Sequence, residues 1–593
     1  MSLVAELQRR RVFRALVGYG IAAFAILQII EPIMHGLHWP EAVLGYVVVA
    51  LALGFPLVVT LAWVFDVNAG RIERTGPSAP ATGLRGARLA ILLVGIGVLA
   101  ATPGVVWYFF VRDRSAPSQV STAKAVSPVD QPTAQTPSIA VLPFLDMSPG
   151  KDQEYFSDGI SEEILNALAQ VEGLQVTGRT SSFSFRGKNE DLRSIGQKLG
   201  VGAVLEGSVR KVGNRVRVTT QVIKVADGFH LWSQTYDRDL SDIFAVQDEI
   251  ARAVVAAMKV KLFPGQSGLA KERRTISHEA YAEYLRGRHF AKWDSLEGNR
   301  LAAEAFQRSI ALDPEYAPSH AGLSVSLERY LSWLDGPPAP TLKGASKQQA
   351  EKEAEKAVSL AADFESYSAR GWIRTVWTWD WAGAETDLKL AVSLGPSDAT
   401  TQGRYGHLMA VLGRLTEAIT ITRKVTEIDP LDANAWFHLG WYYNATGQTQ
   451  LARQALSRAL EISPQSEYAA LNLAITELLE KRPKAALERV QPPWQRWMRN
   501  FIIAMAQHDL GRAQESQDAL QHLLSESPGT SATQIAEVYA WRGEYDPAFE
   551  WLERARVQRD PGSRYVKYDP VLRSLRGDPR YTALLKKMNL PTD

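Results

Sequence analysis

Cysteine is absent from this chain of 593 residues. The absence excludes disulfides, thiol nucleophiles and metal sites built on cysteine. It leaves the compartment open, because a chain without cysteine tolerates an oxidising and a reducing environment equally well. The ten histidines follow no metal-binding pattern. We therefore expect neither a metal site nor a cofactor.

The chain also lacks a dominant charge and any familiar catalytic motif. Its 66 lysines and arginines nearly balance 64 aspartates and glutamates, for a formal net charge of +2. This balance argues against nucleic acid as the main partner. No phosphate-binding loop, zinc-protease helix, serine-hydrolase elbow or kinase catalytic set occurs in the sequence. No catalytic residue and no enzymatic activity are expected.

Three apolar stretches lie within a predicted membrane anchor over residues 1–114. Their bounds are 15–34, 42–65 and 89–111, and the second and third are long enough to cross a bilayer core. Arginines cluster before the first stretch and between the second and third, whereas the turn between the first two has none. Because cytoplasmic flanks collect Lys and Arg, three spans put the amino terminus in the cytoplasm. Residues after 112 would then lie outside a plasma (inner) membrane. If the first stretch does not span, they would be cytoplasmic instead.

A composition change separates the anchor from a small α/β domain. Residues 115–137 are rich in Pro, Ser and Thr, which is typical of an extended linker. Residues 138–262 then alternate strand and helix patterns in the predicted order βαβαβββα, an α+β fold. Val212-Gly-Asn214 and Ala226-Asp-Gly228 are turn sequences that predict hairpins between the last three strands. Ser157-Asp158-Gly159 predicts the start of the first helix.

Four segments of this domain carry a resemblance to a known family. They are Ser138-Ile-Ala-Val-Leu-Pro-Phe144, Glu154-Tyr-Phe-Ser-Asp-Gly-Ile-Ser-Glu-Glu-Ile-Leu165, Leu205-Glu-Gly-Ser-Val-Arg210 and Leu231-Trp-Ser-Gln-Thr-Tyr-Asp-Arg238. Together they resemble the amino-terminal domain of TolB-type periplasmic proteins and the related flagellar outer-membrane-protein domain. The resemblance implies a binding or sensing domain without known catalysis. Relatives often carry a cyclase or winged-helix domain at the amino terminus, where this chain has the apolar stretches.

A period of 34 residues runs through the carboxy-terminal half. Pro396, Pro430 and Pro464 are 34 residues apart. The order Trp436-x2-Leu439-Gly440-x2-Tyr443, followed by Ala452-x3-Leu456 and Pro464, matches the tetratricopeptide pattern with Leu in place of the usual Phe. Looser copies on both sides predict about eight repeats, in an all-α solenoid over residues 278–593 that ends in a capping helix.

Alignment of the repeats on Trp436 selects candidate groove residues. They are Asn434, Phe437, Trp441 and Asn444 in the best repeat and His407 in the preceding one. Aromatic and amide side chains in a groove suit extended or helical peptides, so proteins or peptides are the expected partners. The alternative interpretation is that Phe437 and Trp441 pack on neighbouring helices.

Two functions fit this organisation. In the first, the chain is an integral membrane scaffold whose groove gathers protein partners. In the second, it is an envelope sensor whose α/β domain binds an unidentified small molecule and acts through the membrane spans. The short predicted cytoplasmic segments favour the scaffold.

Overall fold

A computed structural model describes most of the chain from residue 136 to residue 592. The gaps are Asn189, 259–276, Asp294, 334–339, 491–493 and 527–530, and before residue 136 only Tyr19, Leu51, Phe65–Asn68 and Arg71–Arg74 are described. The chain divides into two compact units, Met1–Gln131 and Pro132–Asp593. The three predicted membrane spans and the linker fall almost wholly outside the described residues. Within the described part of the chain, no helix combines the length and the apolar character needed to cross a bilayer.

In the first unit, two short strands form a hairpin. Strand β1 (Phe65–Asn68) pairs antiparallel with β2 (Arg71–Arg74), so that Phe65 lies opposite Arg74. The sequence predicts the end of the second apolar stretch and a loop at this place, and the structure puts both strands there.

The second unit begins with the α/β domain. Its strands and helices, numbered in chain order, are β3 (Ser138–Val141), β4 (Leu145–Asp146), α1 (Glu154–Ala169), β5 (Gln175–Val176), α2 (Arg179–Phe183), α3 (Leu192–Leu199), β6 (Ala203–Val212), β7 (Arg215–Lys224), β8 (His230–Asp239) and α4 (Ile243–Ala257). The order agrees with the predicted βαβαβββα, with β4 and α2 added. Helices α1 and α4 bury Ile160, Ile164 and Ile250 against one face of the sheet, and α3 covers part of the other.

The sheet is mixed. Its strand order is β5-β3-β6-β7-β8, and β4 pairs with β6 beside this path. Strands β3, β5 and β6 run parallel, while β6, β7 and β8 form two antiparallel hairpins. The first hairpin turns at Gly213, whose φ of 57° is one that a residue with a side chain rarely adopts.

One prediction about this domain is wrong. Ser157-Asp158-Gly159 does not begin the first helix, because α1 already starts at Glu154. All three residues are buried in its second turn. Asp158 pairs with Arg186 and Lys292 instead of capping the helix. A Cβ on Gly159 would lie 2.4 Å from Leu285 of the solenoid. These residues therefore belong to a packing surface.

Sixteen helices follow in the described part of the chain, and they pair into eight hairpins, the number of repeats expected from the sequence. The first four repeats are α5 (His278–Ala291) with α6 (Leu296–Leu312), α7 (Ala317–Trp333) with α8 (Pro340–Leu360), α9 (Phe364–Ile373) with α10 (Trp381–Leu394), and α11 (Ala399–Val411) with α12 (Leu415–Ile428). The last four are α13 (Ala433–Ala445) with α14 (Thr449–Ile462), α15 (Glu467–Leu479) with α16 (Pro483–Arg489), α17 (Arg496–Asp509) with α18 (Ala513–Glu526), and α19 (Ala532–Trp541) with α20 (Tyr545–Gln558). We number the hairpins repeat 1 to repeat 8.

The small residues of the pattern let the two helices of a repeat approach each other. In repeat 5, a Cβ on Gly440 would lie 2.5 Å from Cγ of Leu456, and Ala452 is fully buried in the same contact. The first helices of successive repeats also contact one another. In a solenoid this places the first helices on the inner side of its curve.

The chain after repeat 8 turns back over the solenoid. Two short 3-10 segments, Pro561–Tyr565 and Val571–Leu575, precede the last helix α21 (Pro579–Lys587). Val571–Leu575 packs on repeat 8, as expected of a cap. Pro561–Tyr565 contacts repeat 4, and the indole Nε1 of Trp381 in repeat 3 donates to the carbonyl of Met588 at 2.9 Å.

The α/β domain and the solenoid share one hydrophobic core. Helix α1 packs on α5, where Leu285 meets Gly159 and Tyr284 joins the core of the domain. Around this contact Glu162 is buried beside three cations: Arg179 at 3.0 Å, Lys292 at 3.4 Å, and Arg288 in direct contact. Burial raises the pKa of Glu162, but the charges of these cations outweigh it and hold that pKa well below its ordinary range.

Candidate binding face of the solenoid

Six aromatic rings form a continuous row along the first helices of repeats 3 to 6. Trp372 lies 5.4 Å from His407, and His407 lies 5.4 Å from His438, between ring centroids. Phe437 then contacts His438 at 4.8 Å, Trp441 at 5.7 Å and Tyr468 at 6.2 Å. We call these six residues the aromatic row. Side chains of this kind supply much of the binding energy at protein interfaces.

The structure brings three of the five sequence-predicted groove residues into this row. They are His407, Phe437 and Trp441. The fourth, Asn434, is exposed one helical turn before Phe437. Asn444 lies apart from the row, fully buried, and its amide donates to the hydroxyl of Thr476 at 3.0 Å and to the carbonyl of Asn472 at 3.3 Å. Asn444 therefore ties α13 to α15.

The expectation that these side chains contact solvent in the free protein fails for three of them. Asn444 is 0 %, His407 4 % and Phe437 8 % exposed. Trp441 is half-buried because the chain's own carboxy-terminal segment covers it. Tyr565 packs on Trp441 at 4.8 Å and on His407 at 5.5 Å, and Tyr568 packs on Trp441 at 5.2 Å. The middle of the row is therefore occupied within the same chain.

Three arginines tie this segment and its neighbours to the inner helices. Arg564 Nη1 donates to the carbonyl of Val376 at 3.4 Å, and Arg573 Nη2 donates to that of Ala445 at 3.1 Å. Arg559 Nη1 donates to the carbonyl of Trp377. These carbonyls lie at or near the carboxy-terminal ends of first helices, where they lack partners within the helix. The arginines therefore satisfy helix ends that the repeats leave open.

The contact between the row and the segment leaves buried polar atoms unsatisfied. Both ring nitrogens of His407, Nδ1 of His438, Nε of Arg564 and the hydroxyl of Tyr568 have no hydrogen-bond partner among the residues that the structure describes. A buried polar group without a partner typically costs about 1–3 kcal/mol. The aromatic packing of this contact is therefore opposed by a substantial polar cost.

Both histidines of the row are held neutral. Burial lowers the pKa of His407 well below its ordinary value, and the neighbouring His438 and Arg564 add to the effect. Burial, followed by the charge of Arg564, lowers the pKa of His438 to about 4. Neutral imidazoles flanked by aromatic rings are suited to packing and hydrogen bonding. No group of three or more metal-ligating side chains with suitable placement occurs in the part of the chain that the structure covers.

The ends of the row remain accessible. Tyr468 is 53 % exposed at one end. At the other end Trp372 is half-buried beneath the guanidinium of Arg404, which lies 5.8 Å from its ring centroid. Arg404 donates to the hydroxyl of Ser368 at 2.9 Å. An incoming chain would therefore first meet Tyr468 and the neighbouring Asn434.

Sequence reasoning missed several residues of this face. Tyr468 stands 34 residues after Asn434, so the repeat alignment already contained the signal for it. His438 directly follows Phe437 and needed only the helix geometry. Tyr565 and Tyr568 gave no signal, because they lie beyond the last repeat and reach the row only through the fold.

Comparison with known proteins agrees with the repeat architecture. A tetratricopeptide repeat family model matches residues 422–454. A protein of Rhizobium meliloti (strain 1021) named "Putative adenylate cyclase 3" is 42% identical over 228 residues. That match covers 38% of this chain and only 37% of the relative's own length.

Solved structures that resemble the chain include three repeat proteins. Pseudomonas aeruginosa PilF is 14% identical, with a TM-score of 0.30 over 38% of this chain and 98% of PilF. YrrB, named as a TPR protein with an unusual peptide-binding site, is 22% identical, with a TM-score of 0.23 over 32% of this chain and 89% of YrrB. Yeast Tom70 is 14% identical, with a TM-score of 0.32 over 59% of this chain and 82% of Tom70. The family match and the eight helical hairpins together identify a tetratricopeptide-repeat protein with a small sheet domain before its solenoid.

Proposed function

We propose that this protein is an interaction scaffold whose solenoid binds a protein or peptide partner along the aromatic row. The observation that carries the proposal is the row itself, six rings in contact across four repeats with one end open at Tyr468. Tetratricopeptide arrays present such inner surfaces to peptides, and aromatic anchors at the centre of an interface carry most of its energy. Asn434 and Tyr468 would make the first contacts.

Site-specific cross-linking tests this proposal. A photoreactive phenylalanine analogue replaces Tyr468 in the full chain, expressed in its native membranes. The matched control replaces Tyr545, which is 40% exposed but starts the second helix of repeat 8. We expect a discrete protein adduct from position 468 and none from position 545. Absence of an adduct at 468, or identical adducts at both positions, would contradict a partner on the row.

The scaffold is proposed to be anchored in the plasma membrane. The support is the arginine distribution around the three apolar stretches, which favours a cytoplasmic amino terminus and an extracytoplasmic location after residue 112. An alkaline phosphatase fusion after residue 130 should then be active. A fluorescent fusion at the same residue that reports the cytoplasm would mean that residues 15–34 do not span.

A sensor is the second candidate function. It is supported by the relative named as a cyclase and by the resemblance of residues 138–262 to TolB-type binding domains. Direct contact between the α/β domain and the solenoid would let a ligand of one influence the other. The cyclase name itself is not transferred, since the match covers 37% of the relative. A small molecule that raises the Tm of the intact protein, but not after substitutions in the α/β domain, would favour this candidate.

A further inference from the structure

The segment on the aromatic row does more than a solenoid cap requires. Val571–Leu575 already covers repeat 8, the last in the array. Pro561–Tyr568 instead reaches back to repeats 4 and 5, where it places two tyrosines on His407 and Trp441. Covering the last repeat does not explain this second contact.

The segment has the form of a bound peptide. Tyr565 and Tyr568 are three residues apart on one helical turn, in which the amide of Tyr568 donates to the carbonyl of Tyr565 at 3.0 Å. This spacing puts both rings on the same side, as in short helices that dock into a groove. Arg564, directly before the pair, bonds a helix-end carbonyl of repeat 3. The three side chains use the row as separate anchors.

The same contact is incompletely satisfied. Permanent cores of native proteins leave few buried polar atoms without a partner. Here His407, His438, Arg564 and Tyr568 all contribute such atoms, counted among the described residues. A segment that could leave would free the hydroxyl of Tyr568 for water. An incoming chain with a hydrogen-bonding side chain could reach the two imidazoles.

From these observations we propose that the middle of the aromatic row is a peptide-binding site for a one-turn helical segment bearing two aromatic residues three positions apart, and that Pro561–Tyr568 occupies it as an internal substitute. This inference rests on the proposed scaffold function and names the chemistry of the partner. The partner segment carries a basic residue before the aromatic pair and a polar side chain facing His407. It displaces the internal segment when it binds.

A peptide titration of the full-length chain tests the site. The probe is a fluorescent peptide with the sequence of residues 559–570, followed by anisotropy. In the wild-type protein the internal segment competes, so the apparent affinity is reduced by the closed fraction. Tyr565→Ala removes one internal anchor and should tighten peptide binding by roughly tenfold or more. Adding Trp441→Ala to that variant should abolish the gain.

The control peptide has alanine in place of both tyrosines and should not bind any form. Equal binding of the two peptides, or equal affinity of wild type and Tyr565→Ala, would overturn the proposal. If circular dichroism shows that Tyr565→Ala is unfolded, amide hydrogen exchange on the wild type decides. Excess tyrosine peptide should then accelerate exchange in residues 561–568, and unchanged exchange overturns displacement. Cross-linking at Tyr468 probes the uncovered end of the row, so each of the two proposals can fail without the other.

Discussion

Asp429 of repeat 4 accepts a hydrogen bond from the backbone amide of Ser181 at 2.6 Å, across 248 residues of sequence. The hydroxyl of Ser181 donates to the same carboxyl group, and the amide of Gly178 donates to the carbonyl of Ile428 at 2.8 Å. A residue of the solenoid thus caps the amino terminus of α2 in the α/β domain. This contact joins the domain to the middle of the repeat array.

The first prediction concerns the pH dependence of this contact. Burial, followed by the charge of Asp432, raises the pKa of Asp429 from 3.8 to about 6. Below pH 4 the group is protonated in both states and costs nothing. As the pH rises from about 4 to about 6, the unfolded chain ionises first, so the free energy of unfolding falls by about 3 kcal/mol and then stays level.

Asp429→Asn provides the control, because an amide cannot ionise in this range. Urea unfolding of both proteins at pH 4.5 and pH 7 gives the comparison. Wild type should gain stability relative to Asp429→Asn at the lower pH, while other titrating groups cancel between the two proteins. A difference that does not change with pH would show that the carboxyl has an ordinary pKa.

The second prediction tests the close approach of helices within repeat 5. Gly440→Leu should lower the free energy of unfolding by roughly 1–3 kcal/mol, since even its Cβ would meet Leu456 at 2.5 Å. Gly403→Ala is the control, because nothing lies within 4 Å of a Cβ at that helical position. It should raise stability by about 0.5–1 kcal/mol. Thermal melts that rank the two variants in the opposite order would refute this packing.

The third prediction contrasts two buried polar residues. His407 is unsatisfied among the described residues, whereas Asn444 bonds Thr476 and Asn472. His407→Leu should therefore leave the Tm unchanged or raise it, because an apolar side chain has no polar atom to desolvate. Asn444→Leu should lower stability by about 1–3 kcal/mol, because it leaves Thr476 without its partner. Equal losses in both variants would mean that His407 is satisfied in solution.

The fourth prediction addresses the ion pairs between α1 and the solenoid. Glu162→Gln removes the carboxylate shared by Arg179, Arg288 and Lys292, and should cost roughly 3–5 kcal/mol by leaving cations buried without their partner. Glu154→Gln is the control in the same helix. Glu154 also pairs with an arginine, but its side chain is 56% exposed, so a change within about 0.5 kcal/mol is expected. Chemical denaturation of the intact chain measures both.

Much of the architecture could be read locally. The 34-residue period, the hairpin turn at Gly213 and the alternation of Val216 and Val218 with polar neighbours each depend on residues close in sequence. The start of α1 was misplaced because Ser157 and Asp158 are capping residue types. In the fold they lie inside the helix, where Asp158 pairs with Lys292 of α5. That choice depends on a contact 134 residues away.

The candidate site divides in the same way. Spacing alone selected His407, Phe437 and Trp441, because residues at equivalent repeat positions line one face of the solenoid. Spacing could not reveal that Asn444 turns towards Thr476, since this depends on how far α13 and α15 are rotated against each other.

By itself the sequence determined that the chain is a repeat solenoid behind a small α/β domain, because periodicity and turn chemistry act within a few residues. Only the tertiary structure decided that the carboxy-terminal tyrosines cover the aromatic row and that Asp429 caps α2. Those contacts join residues that are far apart in the sequence, and no local pattern encodes which distant surfaces a curved array brings together.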